Sequence, residues 1–145
     1  MHIKTTRFGV LDVSATDKIE FPSGLLGLED CHQWVLLADA GNPALAWLQS
    51  LTRADIALAV VSPRRFVPGY KARVSKSEIS ELKLQDVRDA ELLAVVGKNG
   101  DDTTLNLKAP LIINLEARLG RQVIVNGDEP VQYVLHQPQP LRRAA

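Results

Sequence analysis

The sequence lacks most of what a disulfide-bonded, membrane-bound or strongly charged protein needs. It has one cysteine in 145 residues, Cys31, so no disulfide can form within the chain, and a reducing compartment is favoured. Its 17 Lys and Arg balance its 17 Asp and Glu, so no net field concentrates nucleic acid or anionic lipid. No segment approaches the ~20 consecutive apolar residues of a membrane span, and the N-terminus has no apolar leader. We therefore expect a cytoplasmic protein.

Apolar residues sufficient for a core are present. Hydrophobic residues make up 46% of the chain and charged residues 23%, which is ordinary for a globular protein and argues against disorder. No internal repeat, low-complexity block or Gly/Ser linker divides the sequence. We therefore expect one domain over residues 1–145, with a frayed tail over 137–145 that contains Pro138 and Pro140.

Short apolar runs between turn signals predict a succession of strands. The predicted strands are an opening hairpin over 2–13 and strands at 17–21, 33–38, 45–50, 56–61, 70–74, 91–96, 103–107, 111–114, 122–125 and 131–136. Asn99-Gly100 predicts a type I′ hairpin turn, and Asn126-Gly127 predicts a second hairpin into the last strand. Two prolines and a glycine predict a loop at 63–69.

One helix signal stands among these strands. Ser75 followed three residues later by Glu78 forms a capping box, which predicts a short helix at about 76–83 with Ile79 and Leu82 as its buried stripe. In the strand at 56–61, Ala57 and Ala59 leave one face small enough for another layer to approach. The pattern predicts an all-β, mainly antiparallel barrel or sandwich with one short surface helix.

Residue patterns that carry chemistry are scarce. Cys31 stands beside His32 but lacks a second ligand pair at metal-site spacing, and no nucleophile elbow or phosphate-binding glycine loop occurs. We expect no catalytic, metal-binding or cofactor-binding residue, and so no enzyme. An enzyme that uses Cys31 and a histidine as nucleophile and base is an alternative.

A small barrel that binds single-stranded RNA is the main alternative of another class. Such a site needs aromatic side chains interleaved with basic ones. The chain has three Phe, two Tyr and two Trp, several of them in core-like runs. The pairs Arg64-Arg65 and Arg142-Arg143 are each too short to form a patch. Direct binding of nucleic acid is therefore not expected.

Three segments, in order along nearly the whole chain, carry a specific resemblance. The stretch from Ile19 to Glu29, the run Ala46-Trp47-Leu48-Gln49-Ser50, and the block from Asn106 to Asn114 with Gln122 after it resemble the FliW family of bacterial flagellar assembly factors. The positions that carry the resemblance are Phe21, Pro22, Gly24, Gly27, Trp47, Gln49, Ala109, Pro110 and Gln122.

The resemblance implies a compact β-barrel-like protein that switches between protein partners and has no catalytic activity. Members of the family bind the RNA-binding translational regulator CsrA, away from its RNA-binding surface, and stop it from repressing flagellin synthesis. Flagellin also binds and competes for the factor, so that secretion of flagellin frees it. The free protein is expected to be a monomer. This chain departs from the acidic members of the family because its net charge is zero.

Several residues are candidates for contact with these partners. Acidic residues, among them Glu78, Glu81 and Asp86, outnumber cations on the helix and the turn after it, and form either a surface for a basic partner or a solvated face. Leu25 and Leu26 either plug one end of the barrel or form an exposed apolar rim. Two further candidates, Asn106 and Asn114, either satisfy loop backbone groups or offer hydrogen bonds to a partner.

Overall fold

Residues 1–135, which the computed structural model describes, form eleven strands and two single-turn α-helices. The predicted tail over 137–145 lies outside the described residues. The elements are β1 (His2–Thr5), β2 (Gly9–Asp12), β3 (Lys18–Glu20), β4 (Gln33–Ala38), β5 (Leu45–Ser50), β6 (Ala57–Val61), α1 (Pro63–Phe66), α2 (Lys76–Ile79), β7 (Glu91–Asn99), β8 (Asp102–Leu105), β9 (Leu111–Asn114), β10 (Leu119–Gln122) and β11 (Tyr133–Val134). Short 3₁₀ turns lie at Ala15–Asp17, Ser80–Leu82 and Val87–Asp89.

Seven of the strands close into a barrel. They pair in the order β7-β6-β5-β4-β3-β10-β9, and β9 pairs back with β7. All of these pairs are antiparallel except β3 with β10, which run parallel where Glu20 meets Leu119. Closure leaves the barrel strands without a long free edge. The predicted all-β, mainly antiparallel barrel is confirmed.

Strand β7 belongs to the barrel at one end and leaves it at the other. Its first residues, from Glu91 to Leu93, pair with β9. Ala94 and Val95 pair with β6, and the residues from Val96 onward pair with β8. The wall between β6 and β7 therefore opens beyond Val95.

Alternating side chains of the barrel strands fill its interior. Phe21, Trp34 and Leu48 are fully buried there, together with residues of β6 and β9. The Phe21 and Trp34 rings meet edge to face at 6.5 Å, and Trp34 Nε1 donates to the Cys31 carbonyl at 2.9 Å. Each such side chain contributes about 1.5–3 kcal/mol by leaving water, so these residues anchor the barrel.

The N-terminal hairpin of β1 and β2 covers one outer face of the barrel. Its turn places Phe8 with its ring 6.0 Å from that of Trp47 and Arg7 4.1 Å above the same ring. The Thr6 amide donates to the Ala54 carbonyl at 3.0 Å. Trp47 pairs across the sheet with Ala59, one of the small residues that were expected to leave room for another layer.

Two predicted elements take a different form after β6. The segment 63–69 was expected to be a loop but begins with the helical turn α1, because Pro63 at its first position has a fixed φ suited to a helix start. The predicted strand at 70–74 is wrong. Its side chains alternate between inside and outside as in a strand, but no strand within residues 1–135 pairs with it. A hydrogen bond from the Asn126 amide to the Arg73 carbonyl, at 2.9 Å, joins it to the segment after β10.

The predicted helix at 76–83 is shorter than expected. One α-helical turn, α2, passes into the 3₁₀ turn that ends at Lys83 with φ 55°. Ser75 Oγ donates to the Glu78 carboxylate at 3.1 Å and makes no bond to the helix backbone, so the capping box is incomplete. Leu82 is buried, as predicted, and Ile79 is half-buried.

The two predicted hairpin turns have different outcomes. The first hairpin forms, but Asn99 pairs with Asp102, so the central residues are Gly100 and Asp101. Only Gly100 has positive φ, at 62°, which is the pattern of type II′ and not of type I′. The second hairpin is wrong, as is the strand at 122–125: β10 ends at Gln122 and pairs with β9, while β11 pairs with β8.

Candidate partner-binding site

The loop between β3 and β4 folds into a tight turn with one leucine inside and one outside. Leu25 and Leu28 exchange backbone hydrogen bonds at 3.3 and 2.8 Å. Gly24, just before Leu25, and Gly27, just before Leu28, have φ of 66° and 81°, which other residues rarely adopt. Leu25 is 3% exposed and packs in the barrel core, whereas Leu26 is 59% exposed. The loop thus plugs the barrel with one side chain and presents the other to solvent.

The side chain of Gln122 holds this turn against the opposite wall. Gln122 Oε1 accepts from the Leu26 amide at 2.8 Å, and its Nε2 donates to the Ala109 carbonyl at 2.9 Å. Asn106 Oδ1 accepts from the amides of Lys108 at 3.1 Å and Ala109 at 3.0 Å. Residues from three separate parts of the sequence therefore form one connected network.

These residues surround a cavity at one end of the barrel, which we call the barrel mouth. It has a volume of about 190 Å³ and is lined by Leu25, Leu26, Leu28, Leu58, Val95, Asn106 and Gln122. It lies where the pairing of β6 with β7 ends, since the register stops at Val60 opposite Val95. An apolar wall with a few placed amides is the usual character of a binding pocket, and barrel mouths are common places for one.

Sequence reasoning identified part of this site and missed the rest. Leu25, Leu26, Asn106 and Gln122 were singled out and come together, but Leu58 and Val95 were not. Leu58 falls on the same face of its strand as the core residue Val60, a period-two signal that placed it inside the barrel. Nothing in the local pattern showed that it would line an opening.

Asn114, the other asparagine candidate, lies away from the barrel mouth and is 6% exposed. Its Nδ2 donates to the carbonyls of Leu82 at 2.8 Å and Lys83 at 3.4 Å. Its Oδ1 accepts from the amides of Glu116 at 3.1 Å and Ala117 at 3.2 Å. With both polar atoms engaged, Asn114 joins the end of β9 to the turn after α2.

The acidic candidates each have a partner within the chain. Glu81 lies 3.2 Å from Arg121 on β10, and Glu78 accepts from Ser75. Asp86 pairs with Arg88 at 2.7 Å, and its bonds from the side chain and amide of Arg88 lower the pKa of Asp86. Arg121 and Gln122 are adjacent on β10, so the acidic group and the barrel mouth lie on opposite faces of that strand.

The remaining residues of the resemblance shape the barrel. Phe21 packs against Gly120 of β10, where a Cβ would lie 2.6 Å from Phe21 Cε1, so the ring depends on a glycine at that position. Trp47 Nε1 donates to Asp39 at 2.9 Å, which lowers the pKa of Asp39. Gln49 is fully buried, and its Nε2 donates to the Ser50 carbonyl at 2.9 Å. Its Oε1 has no hydrogen-bond partner among the described residues.

Pro22 and Pro110 bound two of these segments. Pro22 precedes the turn that buries Leu25, and the Pro110 carbonyl accepts from the Val123 amide at 3.1 Å. Since proline has no amide hydrogen, Pro110 cannot donate back to Val123, and the regular ladder between β9 and β10 ends at Leu111 and Gln122.

Cys31 and His32 do not form a nucleophile and base pair. The fully buried Cys31 has its Sγ 3.7 Å from Asp30 Oδ1, while His32 Nε2 lies 2.7 Å from the Glu29 carbonyl. Within residues 1–135, no group of three or more His, Cys, Asp and Glu side chains is placed to hold a metal ion. In the same range, no helix is long and apolar enough to cross a membrane.

Comparisons with known proteins agree with this geometry. The family model described as FliW protein matches residues 2–138. The flagellar assembly factor FliW of Bdellovibrio bacteriovorus is 38% identical over 144 residues, covering 94% of this chain and 82% of that protein. Its counterpart from Thermoanaerobacter pseudethanolicus is 33% identical over 141 residues, covering 95% and 92%. A crystal structure of the flagellar assembly factor FliW superposes with a TM-score of 0.87 and 26% identity, covering 97% of this chain and all of that one. The chain belongs to the FliW family.

Proposed function

We propose that this protein is a cytoplasmic flagellar assembly factor that acts by binding proteins, not by catalysis. Its partners are the translational regulator CsrA, which it antagonises, and flagellin, which competes for it. Relatives 38% and 33% identical are named flagellar assembly factors, which supports the general role. The two partners follow from the family resemblance.

The observation that carries the proposal is Leu26 at the barrel mouth. Leu26 is 59% exposed beside an apolar cavity, and the Gln122 bond holds its backbone in a fixed position. Interfaces concentrate their binding energy in a few apolar or aromatic side chains. Such a side chain contributes more when its backbone is already ordered in the free protein, because binding then loses less conformational entropy. The barrel mouth beside Leu26 can receive an apolar side chain from the partner.

The acidic residues around α2 offer a second surface, suited to a basic partner. Glu78, Glu81 and Asp86 belong to a local excess of carboxylates on a chain of zero net charge. Complementary charge raises association rates and orients a partner more than it adds affinity. We therefore assign CsrA steering to this surface and apolar anchoring to the barrel mouth.

Isothermal titration with CsrA and flagellin from the same genome tests the proposal. Leu26→Ser should weaken binding of at least one partner about tenfold or more without loss of stability. The double variant Glu78→Lys/Glu81→Lys should weaken CsrA binding, most strongly at low salt. Val10→Ser is the matched control, because Val10 is 61% exposed and lies on β2, outside both surfaces.

The titrations distinguish the barrel mouth from the acidic surface around α2. Saturable binding that Leu26→Ser weakens and Val10→Ser does not would support the barrel mouth as the anchor site. If only the double variant loses partner binding, the main contact lies at α2 and not at the barrel mouth. If folded protein binds neither CsrA nor flagellin, the proposed function is wrong, and titration with single-stranded RNA becomes the next experiment.

A further inference from the structure

The charge balance of the whole chain conceals a strongly basic stretch. Between Asp55 and Glu78 the sequence contains five cationic residues and no acidic one. They are Arg64, Arg65, Lys71, Arg73 and Lys76. Sequence reasoning dismissed the Arg64-Arg65 pair because a pair alone is too short to form a patch.

The fold joins α1 to the extended segment that follows it. Arg64 Nε donates to the Tyr70 carbonyl at 3.2 Å, which joins α1 to the segment that follows. In that segment Tyr70 is buried and Ala72 half-buried, while Lys71 and Arg73 are exposed. The two cationic side chains therefore point the same way, on the outer side of an extended backbone.

A further cation, Lys108, comes from a distant part of the chain. Lys108 Nζ donates to the carbonyls of Val125 at 2.9 Å and Gly127 at 2.7 Å. The Tyr70 hydroxyl donates to the Leu107 carbonyl at 2.7 Å, so the two segments are held together. We call Arg64, Arg65, Lys71, Arg73 and Lys108 the basic face.

The basic face contains a polar cavity. It has a volume of about 180 Å³ and is lined by Gly69, Lys71, Arg73, Asn126, Gly127 and Glu129. Within residues 1–135, none of the five cations forms an ion pair with a carboxylate. Asp128 and Glu129 are the carboxylates of the adjoining turn, so five positive charges face two negative ones. A surface of this kind attracts anions at short range even on a neutral protein.

We propose that the basic face binds an acidic segment of a protein partner, with its carboxylates beside Lys71 and Arg73. Charge complementarity carries the assignment, since arginine presents a planar fork that matches a carboxylate. A continuous phosphate backbone fits less well, because it needs a positively charged groove that tracks several nucleotides, and this cavity has only two cationic lining residues, Lys71 and Arg73. Stacking of bases is also poorly served: Tyr70 is 3% exposed, and Phe66 at 40% exposure offers a single ring. The inference does not depend on CsrA or flagellin as partners.

Fluorescence anisotropy with a labelled oligoglutamate peptide tests this assignment. The full chain should bind the peptide saturably at low salt, and the double variant Lys71→Gln/Arg73→Gln should bind about tenfold more weakly or worse. Lys4→Gln/Lys98→Gln is the matched control, since it removes the same charge from two exposed lysines elsewhere. Added salt should weaken binding to wild type and control.

Folding does not confound the comparison. Neither Lys71 nor Arg73 makes a side-chain hydrogen bond or ion pair within the described residues, so thermal unfolding should be unchanged. The pair Arg64→Gln/Arg65→Gln serves as an independent second variant. Absence of saturable binding, or equal loss in the variant and the control, would overturn the proposal. Tighter binding of oligouridylate than of oligoglutamate, lost in the same variant, would instead assign the face to nucleic acid.

Discussion

Gln122 binds the backbone of Leu26 across 96 residues of sequence, with the Leu26 amide 2.8 Å from Gln122 Oε1. The same side chain donates to the Ala109 carbonyl, so one amide joins the loop before β4 to the segment before β9. Both hydrogen bonds join Gln122 to backbone groups and fix the turn. The exposed side chain of Leu26 therefore remains available to a partner. The position of Leu26 therefore depends on a residue that the partner need not touch.

Replacement of Gln122 should affect both stability and partner binding. Gln122→Ala removes the acceptor of Leu26 and the donor to Ala109, and we expect a loss of about 1–2 kcal/mol in the free energy of unfolding. Partner binding should weaken further, because the turn is no longer held. Urea unfolding and titration measure the two effects, with Gln85→Ala on the exposed surface as control. Unchanged partner affinity in Gln122→Ala would show that the turn holds its shape alone.

The two glycines of the same turn should differ in their tolerance of alanine. Both have positive φ, which costs an alanine about 1 kcal/mol. At Gly24 the new Cβ would also lie 2.6 Å from Glu29 Cα, whereas at Gly27 it meets nothing within 4 Å. Gly24→Ala should therefore destabilise the protein by several kcal/mol and Gly27→Ala by about 1 kcal/mol. Equal losses in thermal unfolding would contradict the packing argument.

The barrel and much of this site could be predicted because their signals are local. Short apolar runs between turn signals predicted β4, β5, β6 and β9, and the stretch from Ile19 to Glu29, which contains Leu25, was singled out by its resemblance. The local pattern did not predict that β10 would span Leu119–Gln122, because it placed the strand at 122–125. Val123 and Val125 alternate as in a strand, but their amides bond to the carbonyls of Pro110 and Lys108, where proline interrupts the ladder.

Long-range contacts explain the other errors. Asn126-Gly127 has the composition of a hairpin turn, yet Lys108 binds the carbonyls of Val125 and Gly127, so tertiary contacts override the local preference. The basic face was missed for the same reason, since only the fold brings Lys108 to Gly127, which lines the cavity together with Lys71. A sequence pattern reports which residues alternate but not which distant segment will lie beside them.

Tyr70 should make stability depend on pH in the alkaline range. Burial raises the pKa of Tyr70 to about 12, with the nearby charge of Glu129 adding to the effect. The unfolded tyrosine ionises near pH 10, so the stabilisation is complete below pH 10 and is lost as pH rises towards 12. Unfolding at a series of pH values should show this fall in wild type and a flatter profile in Tyr70→Phe. Identical profiles above pH 10 would contradict it.

The Tyr70→Phe variant should also lose stability at neutral pH. Its hydroxyl donates to the buried Leu107 carbonyl at 2.7 Å, and a buried acceptor left without a donor costs about 1–3 kcal/mol. The second tyrosine, Tyr133, is half-buried, and Tyr133→Phe is the matched control. One pH series therefore measures both effects of Tyr70→Phe: the loss of unfolding free energy at neutral pH and the flatter dependence of stability on pH above pH 10.

The two asparagine candidates should separate stability from binding. Asn114 is 6% exposed and uses both polar atoms on backbone groups, so Asn114→Ala leaves buried groups without partners and should cost at least about 2 kcal/mol. Asn106 is half-buried at the barrel mouth. Water can replace part of the hydrogen bonding that its Oδ1 offers to the amides of Lys108 and Ala109, so Asn106→Ala should lower the free energy of unfolding by less. Because Asn106 lines the cavity and Asn114 does not, only Asn106→Ala should weaken partner binding at a temperature where both variants are folded. Weaker binding by Asn114→Ala alone would place the partner near α2 and remove the barrel mouth as the anchor site.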